Sequence, residues 1–292
     1  MLYTRFNHKG KPATFWQHTI CVLYQPMINV FCSSDADDAF MMYGLAHDLV
    51  DCEGLSFKLE QNDIQKLNTL ALTSDVDVTA LSVHACVYVY KKYKLLSCAA
   101  SFAGIDYGPK VISLTRDSSI LGDRRTKVAL PGNMTSANLA FRIFLAESGS
   151  ELELVNMDFD KIPQAVSEGE VDAGVVIHEG QLTHDQFGLN CILDLGKWWW
   201  DKYQSLMPLG VMVVSNKFAI DKQKKIKQYI SESIKTALEN RAQALEYAQQ
   251  FSKGLNLTVL DRYVNMYVNE ISVDMGEAGR EAINVFLNEG RK

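Results

Sequence analysis

The 292-residue sequence has no apolar run approaching the ~20 residues needed to cross a membrane. It has no excess of positive charge: 29 Lys and Arg face 35 Asp and Glu, for a net charge of -6. The electrostatic footprint of a nucleic-acid binder is therefore missing. An acidic substrate would have to be held by local donors rather than by the field of the whole chain. None of the six cysteines (Cys21, Cys32, Cys52, Cys86, Cys98, Cys191) stands in a CxxC pair. That removes the usual spacing of a zinc site, and in a chain long enough to build a core they read as reduced, mostly buried thiols. Internal repeats and low-complexity segments are missing too. The early apolar stretch Thr19–Tyr24 is shorter than a signal core of about 7–15 residues and has no small-x-small cleavage site. The expectation is a cytoplasmic protein with neither membrane nor nucleic acid as partner, whose residues 1–26 form an extension outside the fold.

What the chain does have, from Met27 onward, is alternation. Short β-branched runs at 27–32, 55–60, 76–82, 111–114, 127–130, 171–177 and 208–214 read as strands. Segments with helical spacing lie between them, and Lys222–Phe251 is the longest. This is the pattern of an α/β protein. Turn residues around Gly104, Gly108 and Pro109 and the polar stretch Thr115–Lys127 suggest a chain crossing, and a second falls before Met207-Pro208. The expected organisation is a large α/β domain of residues 27–114 plus 208–292, a small one of residues 115–207, and a ligand cleft between them.

Polar groups follow the strands. In open α/β sheets ligands bind outside the carboxyl ends of strands. His178 and Glu179 occupy that place after Val171–Ile177. An imidazole with an ordinary pKa near 6.5 can serve as a general base there; the alternative is a loop residue that caps the strand. Ser82 and His84 follow the strand of residues 76–82, and for His84 a packed helix start is the favoured reading. Thr135 and Ser136 open a helix after Pro131-Gly132; they fit either an anion cradle at its positive end or ordinary N-capping. Ser33–Asp38 places three aspartates in four residues, but the glycine and distal glutamate of a calcium loop are absent. Helix capping is the favoured role there. Of the adjacent Trp198, Trp199 and Trp200, at least one is expected at a domain junction or pocket.

Several stretches, in order, resemble the 1,4-dihydroxy-6-naphthoate synthase family of the futalosine route to menaquinone. They are Ser34–Met41, Asp63–Asn68, Val78–Ser82, Pro131-Gly132 before Thr135-Ser136, Ile177-His178-Glu179, Asp194–Trp199, Pro208–Gly210, Tyr267–Asn269 and Asp274–Glu277. The resemblance covers Met27 to Gly290. It implies a two-domain, type II periplasmic-binding-protein-like fold used as a lyase, with cyclic dehypoxanthine futalosine as the small-molecule substrate and dihydroxynaphthoate as product. It implies that His178 is the general base, and that Ala80, Leu81, Ser82, Thr135 and Ser136 contact substrate. The chemistry calls for neither metal nor organic cofactor. The family's early loop often reads Ser-Pro-Cys-Pro-Asn-Asp-Thr-Phe, where this chain has Ser33-Ser34-Asp35-Ala36-Asp37-Asp38-Ala39-Phe40. A lysine often found before the Leu-Ser pair is Ala80 here. These departures bear on the grip on a carboxylate and leave a related substrate open. The rival functions are a non-catalytic small-carboxylate binder of the same fold and the sister enzyme chorismate dehydratase. The Ile-His-Glu motif argues against the sister enzyme.

Overall fold

The structure is a computed structural model, and it describes residues 27–252 and 254–292. The expected extension of residues 1–26 lies outside the described residues. Among the described residues, eleven strands form two sheets. The first contains β1 (Met27–Ser33), β2 (Ser56–Asn62), β3 (Val78–Ser82), β4 (Tyr93–Leu95), β5 (Ser101–Ala103) and β11 (Met207–Ser215); the second contains β6 (Lys110–Ser113), β7 (Lys127–Leu130), β8 (Glu153–Asn156), β9 (Ala173–Val176) and β10 (Asn190–Asp194). Their spatial orders are β2-β1-β3-β11-β4, with β5 also on β11, and β10-β6-β9-β7-β8.

One boundary moves. Strand β6, expected with the first segment ending at residue 114, pairs with β9 and β10 in the second sheet. The chain therefore changes sheet between Ala103 and Lys110. The backbone pairing decides this, and a four-residue apolar strand carries no mark of which sheet will accept it. The long helix expected over residues 222–251 is two helices, Ile220–Glu239 and Arg241–Gln249, separated at Asn240 with φ -109° and ψ 43°.

The pairing directions build the site. Strands β1, β2 and β3 run parallel, so their carboxyl ends share an edge. β11 runs antiparallel to β3 and places Gly210 opposite Ser82 at that edge, with Ser101 of β5 on its other side. In the second sheet β7, β8 and β9 are parallel, and antiparallel β6 brings Lys110 opposite Val176. Each sheet thus offers the same kind of edge, the one where ligands bind.

Core packing joins the two sheets. Leu81, Met207, Val211 and Val213 from the first share one buried cluster with Val111, Val128, Leu130 and Val175 from the second. Trp199 is fully buried in that cluster against Tyr203 and Phe286. Trp199 thus packs where the two sheets join, as expected of at least one of the three adjacent tryptophans, and none of them lines the cavity described below. The five described cysteines are all unpaired, and no helix among the described residues is long and apolar enough to cross a membrane.

Candidate active site

The two strand edges face a shared cavity. Ser33 at the end of β1, Asp35, Asp37 and Asp38 after it, Ala80 and Ser82 of β3, and Leu209 and Gly210 of β11 line it from the first sheet; Thr135, Ser136, Ile177, His178 and Gln181 line it from the second. Tyr263 and Tyr267 close it from the helix Leu257–Tyr267. Among the described residues the lining contains no Lys or Arg. The positive features that these residues offer an anion are the imidazole of His178 and a helix amino terminus.

The expected site residues divide by geometry. Side chains alternate along a strand, so Ala80 and Ser82 share the cavity face of β3. Leu81 points the other way, is fully buried in the core and is not a lining residue. Ser82 is held by buried Asn68: its N–H donates to Asn68 Oδ1 at 2.9 Å and its Oγ accepts from Asn68 Nδ2 at 3.0 Å. Thr135 is an N-cap: its Oγ1 accepts from the Asn138 N–H at 3.2 Å and donates to the Gly132 carbonyl at 3.0 Å. The Ser136 hydroxyl donates to the Leu209 carbonyl at 2.6 Å. Both hydroxyls are thus committed to protein partners; Thr135, Ser136 and Ala137 line the cavity at the amino end of the helix Ser136–Ser148, where first-turn amides have no intrahelical acceptor.

His178 lines the cavity directly after β9 with φ 51°. A non-glycine residue in this left-handed region costs on the order of 1 kcal/mol, and such strain collects at functional sites. The Gln181 N–H donates to the His178 carbonyl at 3.2 Å and braces the turn. The ring lies edge-on to Phe159, with centroids 4.7 Å apart. Its Nδ1 is 2.5 Å from Asp35 Oδ2. Burial opposes the imidazolium, but the charge and hydrogen bond of Asp35 outweigh it and raise the His178 pKa. Glu179 is buried and does not line the cavity. His84 also lies outside it, its ring near Tyr88, and burial lowers its pKa.

Sequence reasoning assigned the aspartates to helix capping. Asp35 does occupy the N-cap position of Ala36–Met41, but its side chain makes no capping bond. It accepts from Ser33 Oγ at 3.0 Å and meets His178. Asp37 accepts from the Tyr263 hydroxyl at 3.0 Å, and Asp38 accepts the Ser33 N–H at 2.6 Å. Burial and the neighbouring carboxylates push Asp37 well above the usual range and Asp38 up to about 8. Burial also works against the Asp35 charge, yet His178 holds its pKa below the ordinary value. Of the trio, Asp35, the member that touches the imidazole, is the one whose charge the surroundings favour. The three carboxylates lie within 4.8 Å of one another and are the one cluster among the described residues able to hold a metal ion. One oxygen of each is engaged, Asp35 Oδ2 by His178 and Ser33, Asp37 Oδ1 by Tyr263 and Asp38 Oδ2 by the Ser33 N–H, while Asp35 Oδ1 is buried without a partner.

Sequence reasoning also missed Gln181, Tyr263 and Tyr267. Gln181 Oε1 accepts from the Tyr267 hydroxyl at 2.6 Å and from the Gly108 N–H at 3.1 Å, linking the helix Leu257–Tyr267 to the crossing segment. The available signals were the i, i+4 spacing of Tyr263 and Tyr267, which sets both on one helix face, and the place of Tyr267 in a stretch that resembles the family.

Residues 28–292 match the family described as menaquinone biosynthesis. A 1,4-dihydroxy-6-naphtoate synthase of Streptomyces coelicolor is 30% identical over 271 residues, 92% of each chain. A Thermus thermophilus protein of the same name is 29% identical over 247 residues, 85% of this chain and 88% of its own. Among solved structures, a protein of Archaeoglobus fulgidus superposes with a TM-score of 0.84 at 37% identity, over 91% of this chain and 97% of that one. The alkanesulfonate-binding protein of Xanthomonas axonopodis pv. citri reaches 0.66 at 12% identity, over 91% and 94%. That likeness shows a periplasmic-binding-protein-like fold.

Proposed function

Because this chain belongs to the menaquinone biosynthesis family, we propose that it is a 1,4-dihydroxy-6-naphthoate synthase, a cytoplasmic carbon-carbon lyase acting on cyclic dehypoxanthine futalosine. The observation that carries the reading is His178, paired through Nδ1 at the mouth of a cavity walled by both sheets. In its neutral form, with the Nδ1 proton donated to Asp35, the imidazole keeps Nε2 as a lone-pair acceptor. It removes a proton from the cyclised sugar portion of the substrate as the leaving group departs. A positioned base of this kind supplies roughly 10²–10⁴ in rate.

The rest of the cavity binds and orients. The first-turn amides at Ser136 and Ala137, at the positive end of their helix, receive the substrate carboxylate. Ser82, fixed by Asn68, orients the opposite end, and Ala80 leaves room beside it. The two sheets act as lobes, residues 27–103 with 207–292 against residues 110–194. Their closure excludes water and fixes the reacting geometry.

The likeness to binding proteins supports a second reading, a ligand binder without turnover. Incubation with cyclic dehypoxanthine futalosine, followed by mass spectrometry, separates the two. The expected result is dihydroxynaphthoate from wild type and a loss of at least ~10²-fold in His178→Ala. Substrate binding with no product from either protein would leave the binder. Equal turnover by both would remove His178 as the base.

A further inference from the structure

Asp35 stands where the resembling family often has cysteine, and its geometry is not that of a helix cap. Its side chain makes no bond to the helix it precedes. Its Oδ2 instead sits 2.5 Å from His178 Nδ1, with both side chains largely buried, and takes a second bond from Ser33 Oγ at 3.0 Å. The Ser33 N–H is itself tied to Asp38 at 2.6 Å, so the loop that presents Asp35 is braced on both sides of it.

We propose that Asp35 is the positioning residue of His178: its carboxylate holds the Nδ1–H, selects the tautomer that leaves Nε2 free to accept, and stabilises the imidazolium formed when the proton is taken. This rests on the reading of His178 as the base. A histidine that must turn in either of two orientations presents the wrong nitrogen part of the time, and a buried carboxylate on one nitrogen removes that choice. The same carboxylate makes the imidazole a stronger base, because it favours the charged product of the transfer.

Other groups act on the same ring. Asp38 lies beside Asp35, Glu179 adjoins His178 in sequence, and Asp63, at the amino end of the helix Ile64–Thr73, adds to the field at the imidazole. Asp37 and Tyr263 stand behind Asp35 and bond to each other. Burial and the neighbouring carboxylates, Asp35 among them, disfavour charge on Asp37 and Asp38. Asp35 is therefore the carboxylate whose loss should move the imidazole most.

The test is Asp35→Asn, which keeps an oxygen able to accept the Nδ1–H and removes the charge. Turnover is measured from pH 5 to 9, and the His178 ring nitrogens are followed by NMR in the free protein. We expect kcat to fall by on the order of 10–10²-fold with KM changed less than ~3-fold, by analogy with carboxylates that orient metal-bound histidines. The acidic limb of kcat/KM should move to lower pH, because the imidazolium loses its partner. A merely structural role would lower kcat without moving that limb. An unmoved limb, or a His178 titration identical in both proteins, overturns the proposal. The wild-type spectrum alone decides the case if the variant does not fold: a neutral imidazole protonated on Nδ1 supports the pairing, and one protonated on Nε2 overturns it. If wild type makes no dihydroxynaphthoate, the assigned reaction fails, while the ring titration still judges the Asp35–His178 pair.

Discussion

The Ser136 hydroxyl donates to the Leu209 carbonyl across 2.6 Å and ties the helix that follows β7 to β11 of the other sheet. A hydroxyl committed in this way is a tether, not a ligand donor. Ser136→Ala is expected to cost about 1 kcal/mol of stability, the usual net worth of such a bond. KM should change less than ~3-fold, because the Ser136 amide remains in place. Thermal denaturation and steady-state kinetics check both halves; a KM raised tenfold or more at unchanged stability would mean that the hydroxyl touches substrate.

Gly132 is expected to resist substitution. Its φ of +124° lies where side chains are strained, and an added Cβ would come within 2.5 Å of Gln65 Oε1. That oxygen accepts the Met134 N–H at 3.0 Å, and the Gly132 carbonyl receives both Thr135 Oγ1 and Asn138 Nδ2. Gly132→Ala should therefore destabilise by roughly 1–3 kcal/mol and misplace the helix amino terminus, raising KM more than it lowers kcat. Chemical denaturation and the KM-to-kcat split are the readouts. An unchanged denaturation midpoint would show that the turn relaxes without strain.

Asp38 should make the fold less stable as pH rises. Its folded pKa of about 8 lies far above an unfolded value near 3.9. For a group raised in the fold, the favourable contribution is complete below the unfolded pKa and is lost as pH climbs through the folded one. Asp38→Asn keeps an acceptor for the Ser33 N–H and removes the titration. Its stability relative to wild type should increase from pH 4 to pH 8, by ~1 kcal/mol or more over that window. Urea denaturation at pH 4, 6 and 8 tests this, and a difference that stays flat with pH would refute it. The opposite slope belongs to Asp35: its lowered pKa gives stability above pH ~4 that is lost on acidification.

Local pattern by itself determined much of this protein. Strands of small and β-branched residues and helices with apolar faces carry their periodicity in the chain, and from Met27 on they specify an α/β protein. The rule that ligands meet the carboxyl ends of strands placed His178, Ser82, Thr135 and Ser136 at one site, and all four line the cavity. The motifs that resemble the menaquinone family were also in the sequence, and the family match over residues 28–292 agrees with them.

Tertiary structure decided which groups meet. A short apolar strand does not encode its partner, so β6 joined the second sheet only when the backbone paired. The two faces of β3 are equally buried, so Leu81 could be separated from Ala80 and Ser82 only once the cavity side was known. Asp35 has the sequence position of a helix cap, and its encounter with His178 depends on the two sheet edges facing each other. The same holds for Asp37 with Tyr263 and Gln181 with Tyr267. Secondary structure follows from interactions near in sequence, whereas these pairs bond groups that only the packing of distant segments brings within reach.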